Sequence, residues 1–242
     1  MKVTIFTEYN KSMDNEEGKR NYPLGMNACL YDFIAKHHEV KMIVHSADDD
    51  GSELTKEILD ETDVLLWWGH WYHKTVSDEV VNYVFERVNA GMGLMLLHSA
   101  HASKVAQRLL GTTGVLFWRE GDRERVWVGD RSHPIAKGVG DFIYLDPEEM
   151  YGEPYNGPAP DELVFISWFG GGEVMRSGSV YKRGLGKVFY FRPGHETYPT
   201  YANEQIQRVM LNAIDYIAPD KTLAPYESVH AQISPEAQLQ KK

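Results

Sequence analysis

Five of the ten histidines fall in three short segments, each placed directly after an apolar run. The first is Trp67-Trp68-Gly69-His70-Trp71-Tyr72-His73. The second is His98-Ser99-Ala100-His101, and the third is Phe191-Arg192-Pro193-Gly194-His195-Glu196. If the runs are parallel strands of one sheet, their carboxyl ends open on a common crevice, where open α/β sheets bind ligands. Neutral imidazoles brought together from separate loops suit a borderline cation, zinc or another divalent transition metal. His70, His98 and His195 are the expected ligands, with one coordination position left open. His73 and His101 would be outer or alternate ligands. Glu196 or Glu149 would supply a carboxylate ligand or a general base.

A second reading needs no metal. Ser99 sits at a strand-to-helix turn, His195 would be its base and Glu196 would orient the imidazole. The context argues against it, because the Gly-x-Ser-x-Gly elbow is absent and a serine here commonly caps the following helix. A lone His-x-x-His is also weak evidence for a metal. The convergence of three such segments carries more weight.

Aromatic residues gather near the same segments. Trp68, Trp71, Tyr72, Trp118, Tyr151, Tyr155, Trp168, Tyr198 and Tyr201 lie at loops or strand ends. Flat rings with polar edges suit pyranose faces, and Glu149, Glu153, Arg119 and Arg176 offer hydrogen bonds to hydroxyls. From these we select Trp68, Tyr72, Glu149, Tyr151, Glu153, Trp168, Arg176 and Tyr198 as candidate substrate contacts. Trp118 and Trp127 fall in an alternating stretch and are expected merely to pack under long loops.

The elements needed to hold these residues are legible in outline. Val3 to Thr7, Val40 to Val44, Val64 to Trp68 and Leu94 to Leu97 read as strands. Leu24 to Lys36, Ser52 to Glu61, a segment capped by Ser77, and Ala102 to Leu110 read as the intervening helices. This alternation predicts a mostly parallel, doubly wound sheet covered on both faces. Val115 to Val128 reads as a hairpin turning at Gly121-Asp122, and Asp146 to Pro160 as a surface loop. Leu163 to Trp168 reads as a strand. Val174 to Tyr181 and Lys187 to Phe191 read as a hairpin, and Asn203 to Ala218 as the last helix. We expect one domain over residues 1–220 and a polar tail over 221–242.

Composition narrows the function classes. With 25 Lys and Arg against 35 Asp and Glu, the chain carries a net charge of −10, which disfavours nucleic acid and anionic membranes. The single cysteine, Cys29, excludes an internal disulfide; as part of a helix it reads as an inert buried thiol. No secretion signal and no membrane-length apolar run is visible, so a cytoplasmic setting is expected. A homo-oligomer would be unsurprising.

Several blocks carry a resemblance. Leu65-Leu66-Trp67-Trp68-Gly69-His70, Leu96-Leu97-His98-Ser99-Ala100-His101, Glu149-Met150-Tyr151-Gly152-Glu153-Pro154, Gly172-Glu173-Val174-Met175-Arg176-Ser177-Gly178 and the long run Tyr190 to Pro199 occur in order. Together they resemble the ThuA-like trehalose utilisation proteins, over roughly residues 1 to 218. The resemblance implies a class I glutamine amidotransferase-like α/β fold, flavodoxin-like with added β-hairpins. That fold places a cysteine at the turn which here carries His98-Ser99, a departure that counts against glutamine hydrolysis. The resemblance further implies a bacterial role with disaccharides or their 3-keto derivatives, alongside an NAD-dependent sugar oxidoreductase. An enzyme on such a sugar and a non-catalytic sugar-binding partner of the oxidoreductase both fit.

Overall fold

The computed structural model describes residues 1–221 and 230–240. Nine strands form one sheet: β1 (Lys2–Glu8), β2 (Glu39–His45), β3 (Val64–Trp68), β4 (Gly93–Leu97), β5 (Phe117–Val128), β6 (Phe142–Gly152), β7 (Glu162–Phe169), β8 (Val174–Arg183) and β9 (Gly186–Phe191). Their spatial order is β2-β1-β3-β4-β9-β8-β7-β5-β6. The helices are α1 (Glu16–Asn21), α2 (Met26–Ile34), α3 (Lys56–Glu61), α4 (Asp78–Asn89), α5 (Lys104–Leu110), α6 (Glu204–Ile217) and α7 (Pro235–Leu239).

The β2-β1-β3-β4-β9 pairs are parallel, and every pair from β9 to β6 is antiparallel. The expected mostly parallel sheet is therefore a mixed one. Strands β3 and β4 are buried along their whole length. That is why their sequences are continuous apolar runs rather than alternating ones. Side chains from α2 and α6 pack on one face of the sheet, and those from α3, α4 and α5 on the other. Helix α4 follows its pattern closely: Ser77 accepts from the Val80 amide, and Val80, Val84 and Val88 are buried.

Four local expectations are corrected. Residues 117–128 form one strand, not a hairpin. Gly121, at φ 68°, makes an irregularity where the register with β6 shifts between Arg119 and Glu124. A bulge bends a strand without reversing it, and its glycine looks the same in sequence as a turn glycine. Half of the expected loop 146–160 is the end of β6, so Glu149 and Tyr151 stand on a strand. Helix α3, expected from Ser52, begins after its cap Thr55, and the cap of α5 is Ser103, whose hydroxyl accepts from the Ala106 amide. Helix α1 and the 3-10 turn before it, Lys11–Asp14, carried no recognised signal. Of the expected tail, 222–229 and 241–242 lie outside the described residues; α7 falls within the rest.

Candidate metal and sugar site

The carboxyl ends of β1, β3, β4 and β9 open on one cleft, and β6 closes it from the antiparallel side. Strand β3 delivers His70, β4 delivers His98 and Ser99, β9 delivers His195 and Glu196, and β6 contributes Glu149 and Tyr151. The three imidazoles form a nearly equilateral triangle. Their ring centroids lie 5.5 Å (His70 to His98), 5.3 Å (His70 to His195) and 5.5 Å (His98 to His195) apart, with interplanar angles of 77–85°. With Glu149 they make a cluster in which one donor atom per residue lies within 4.8 Å of all the others.

Backbone geometry fixes each member. His98 is the one described non-glycine residue with positive φ, at 52°, the price of turning from β4 straight into a 3-10 turn. Its Nδ1 faces the Arg192 carbonyl at 3.2 Å, and a carbonyl only accepts, so Nδ1 carries the proton. The lone pair on Nε2 then faces both the Tyr151 hydroxyl, 3.3 Å away, and Glu149 Oε2, 3.0 Å away. That oxygen is buried and has no hydrogen-bond partner. Two acceptors at this distance call for a proton or a cation between them. Burial, reinforced by the charges of His195 and His70, pushes His98 well down, and burial pushes Glu149 up.

His70 is held differently. Its Nδ1–H donates to Glu196, at 2.9 and 3.0 Å from the two oxygens, leaving Nε2 free. Burial pulls the His70 pKa down, but the hydrogen bond and charge of Glu196 outweigh it and leave the pKa raised. Burial also opposes the Glu196 charge. The hydrogen bond and charge of His70 more than offset this, and Glu196 stays a carboxylate with its pKa far below the usual range. Ser12 donates a further bond to Glu196. His195 accepts the Thr197 amide on Nδ1 at 3.2 Å, with Thr197 Oγ1 at 3.0 Å. Its neighbour Gly194 sits at φ 135°, and a Cβ there would lie 2.0 Å from the Tyr201 hydroxyl, so no other residue fits without displacing the loop.

Buried charges brace the loops from below. Glu8, at the end of β1, accepts three successive amides, from His70 (3.0 Å), Trp71 (2.8 Å) and Tyr72 (2.8 Å). Arg192 is fully buried; it pairs with Glu124 and donates to the Glu149 carbonyl at 2.5 Å. Glu148 accepts from the amides of Glu149 (2.9 Å), Gly194 (3.2 Å) and His195 (3.4 Å). Glu120 also lines the cleft and accepts from the Tyr198 hydroxyl at 2.9 Å. None of Glu8, Ser12, Glu120, Glu124, Glu148 or Arg192 was singled out from sequence.

The sequence profile of the trehalose utilisation (ThuA) family matches residues 2–217. The chain belongs to the ThuA family. Among solved structures, a ThuA-like protein from Parabacteroides merdae superposes with TM-score 0.68 at 14% identity, covering 93% of this chain and 97% of that one. A second, from Bacteroides uniformis, gives TM-score 0.62 at 16% identity, covering 89% and 90%. A cytoplasmic protein from Salmonella typhimurium LT2 gives 0.57 at 13%, covering 90% and 100%. These likenesses show a shared fold. No curated protein sequence matches the chain.

In this ThuA family member the remaining candidates divide by position. Tyr151 and Tyr198 line the cleft, as do Trp71, Trp118, His73 and His101. Trp118 is 59% exposed at the cleft wall, so the expectation that it packs under a long loop is corrected. Trp68 is corrected in the other sense: its ring is buried and its Nε1–H donates to the Gly194 carbonyl at 3.0 Å, supporting the site from beneath. Glu153 and Arg176 pair with each other at 2.8 Å away from the cleft lining, and Tyr72 and Trp168 also lie outside it. Ser99 Oγ bonds the Tyr151 hydroxyl at 2.5 Å rather than His195, and Glu196 orients His70 rather than His195. The serine triad is thus not assembled, and Ser99 caps no helix. His101 has a buried Nδ1 without a partner, and burial pushes its pKa down to about 3, so it stays neutral. Cys29 is half-buried, and burial raises its thiol to about 11. Among the described residues no helix is long and apolar enough to cross a membrane.

Proposed function

We propose that this chain is a cytoplasmic enzyme of disaccharide utilisation. It acts on a disaccharide, or on the 3-keto derivative that an NAD-dependent oxidoreductase makes, at a divalent transition metal held by His70, His98 and His195. The observation that carries the reading is the His98–Glu149 contact. A buried imidazole lone pair and a partnerless carboxylate oxygen lie 3.0 Å apart, inside a cluster of three imidazoles. Three nitrogen donors suit zinc and its first-row neighbours, with the Glu149 carboxylate beside the open position. The Glu196 carboxylate behind His70 is the outer partner that orients a ligating imidazole. His195 differs: its Nδ1 accepts the Thr197 amide, so a cation on Nε2 would require the ring proton to move to Nδ1 and that bond to give way to one donated to Thr197 Oγ1.

The bound metal would supply Lewis-acid polarisation of a sugar carbonyl or of two neighbouring hydroxyls. Glu149 is the group we assign to carry the proton, because its pKa is raised and one oxygen is uncommitted. Glu196 is unsuited to that task, being tied to His70 and Ser12. Trp71, Trp118 and Tyr198 offer ring faces to a sugar, and the cleft volume of about 760 Å³ suits two sugar rings. Its lining contains four glutamates and neither Lys nor Arg, which favours an uncharged sugar over a phosphorylated one.

The test is elemental analysis of protein purified without a histidine tag or chelator, repeated on His98→Ala and His195→Ala. One equivalent of metal in the parent and a drop of roughly tenfold or more in the variants is expected. Unchanged metal content in both variants would sink the metal reading. Incubation of the loaded protein with a 3-keto-disaccharide in heavy water then separates an enzyme from a sugar-binding partner. Turnover or proton exchange marks the enzyme, and binding alone marks the partner.

A further inference from the structure

The antiparallel half of the sheet has an outer face that breaks the usual alternation. A half-solvated antiparallel sheet shows polar side chains outward. Here six outward positions on four adjacent strands are apolar, set around the stem of Arg125. In one row Trp127 of β5 stands between Phe142 of β6 and Ile166 of β7. In the next row Arg125 stands between Tyr144 and Trp168, and Val174 of β8 follows Trp168. The rows are ordered: Trp127 and Phe142 rings lie 5.1 Å apart, and the Arg125 guanidinium lies 5.6 Å from the Tyr144 ring and 5.5 Å from that of Trp168. All six apolar side chains are 36–47% exposed, and none lines the cleft.

We propose that this face is the interface of a homodimer, in which two copies pack it against itself about a twofold axis. A contiguous apolar patch of this size lies at the upper end of what monomers expose, where patches are often functional. From the usual area of such side chains the patch presents roughly 600 Å². A self-packed pair would then bury about 1,200 Å², the lower bound of specific interfaces. The charges point to a second copy rather than to a foreign partner. The chain as a whole carries −10, yet the charges that alternate outward with these rows are Arg123 and Arg125 on β5 and Asp146 on β6, so both signs lie on the face. A surface that must be its own complement needs both signs. The proposal stands independently of the chemistry in the cleft.

The test is sedimentation velocity of the full chain at micromolar concentration, beside Trp168→Glu, Ile166→Asp and, as a control, Leu185→Glu at the exposed β8–β9 turn. The parent and the control are expected to be dimers. Either face variant should weaken the dimer by roughly a hundredfold, with the far-ultraviolet circular dichroism of the parent retained. A monomeric parent overturns the proposal, whether another protein or the chain's own tail covers the face. So does a dimer that persists in both face variants while their circular dichroism is unchanged.

Discussion

At the scale of single residues, the cleft separates two carboxylates by environment. Glu196 is kept ionised by His70, while Glu149 is driven toward protonation by burial and has one free oxygen. Two such groups with opposed shifts suit opposed tasks, one structural and one chemical. The variant Glu149→Gln keeps the shape and, with three imidazoles intact, is expected to retain metal. It should lose turnover by about two to four orders of magnitude. Parallel metal analysis and steady-state kinetics check this. Loss of metal in Glu149→Gln would make Glu149 a ligand and not the proton carrier. The histidines and Glu196 were readable from sequence because they sit beside apolar runs. Ser12 and Glu120 were not, because they reach the site from segments whose positions depend on tertiary packing. Trp68 and Trp118 exchanged their expected places for the same reason: a tryptophan at a strand end faces the core or the cleft according to strand direction and twist.

At the scale of elements, the junction of β4 with the following 3-10 turn is where geometry was bent to serve the site. His98 holds φ at 52°, a region that any residue with a Cβ disfavours. Without metal, His98→Ala and His98→Gly both remove the imidazole, so comparing them isolates the backbone. His98→Gly is expected to be the more stable by about 1 kcal/mol. Chemical denaturation of the two apo proteins measures this. Equal stabilities, or a more stable alanine variant, would mean that the turn stores no strain. The same scale explains why β5 reads as a hairpin in sequence. Gly121-Asp122 has turn composition, but β5 is paired on both sides, with β6 and with β7. Those long-range partners keep it extended through the irregularity.

At the scale of the molecule, the parallel and antiparallel halves are joined by shared hydrophobic clusters and by a few polar ties. Glu162 on β7 is one such tie. It accepts from His133 Nε2 (2.9 Å) in the turn before β6, from the Tyr216 hydroxyl (2.6 Å) on α6, and pairs with Lys182 (3.0 Å) on β8. Burial pushes its carboxyl up, but the hydrogen bonds from His133, Tyr216 and Lys182 prevail and hold it down at about 2. A pKa depressed in the folded state gives stability that is present above the unfolded value, near 4.5, and lost as pH falls toward 2. Glu162→Gln should therefore melt earlier than the parent at neutral pH, with the gap closing on acidification through that window. Thermal melts of both proteins across pH check it, and a gap independent of pH would remove Glu162 as an electrostatic tie.

The sequence by itself determined the βα alternation of the first half, the burial of β3 and β4, and the three loops that bear histidine. These follow from side-chain periodicity and from residues adjacent in the chain. Only the tertiary structure decided that His70, His98, His195 and Glu149 share one cluster while Glu153, Arg176 and Trp168 do not. It also decided that the second half extends the sheet antiparallel, with an apolar outer face. Strand order, direction and register come from contacts between residues far apart in sequence, and no local pattern encodes which distant strand will supply the partner.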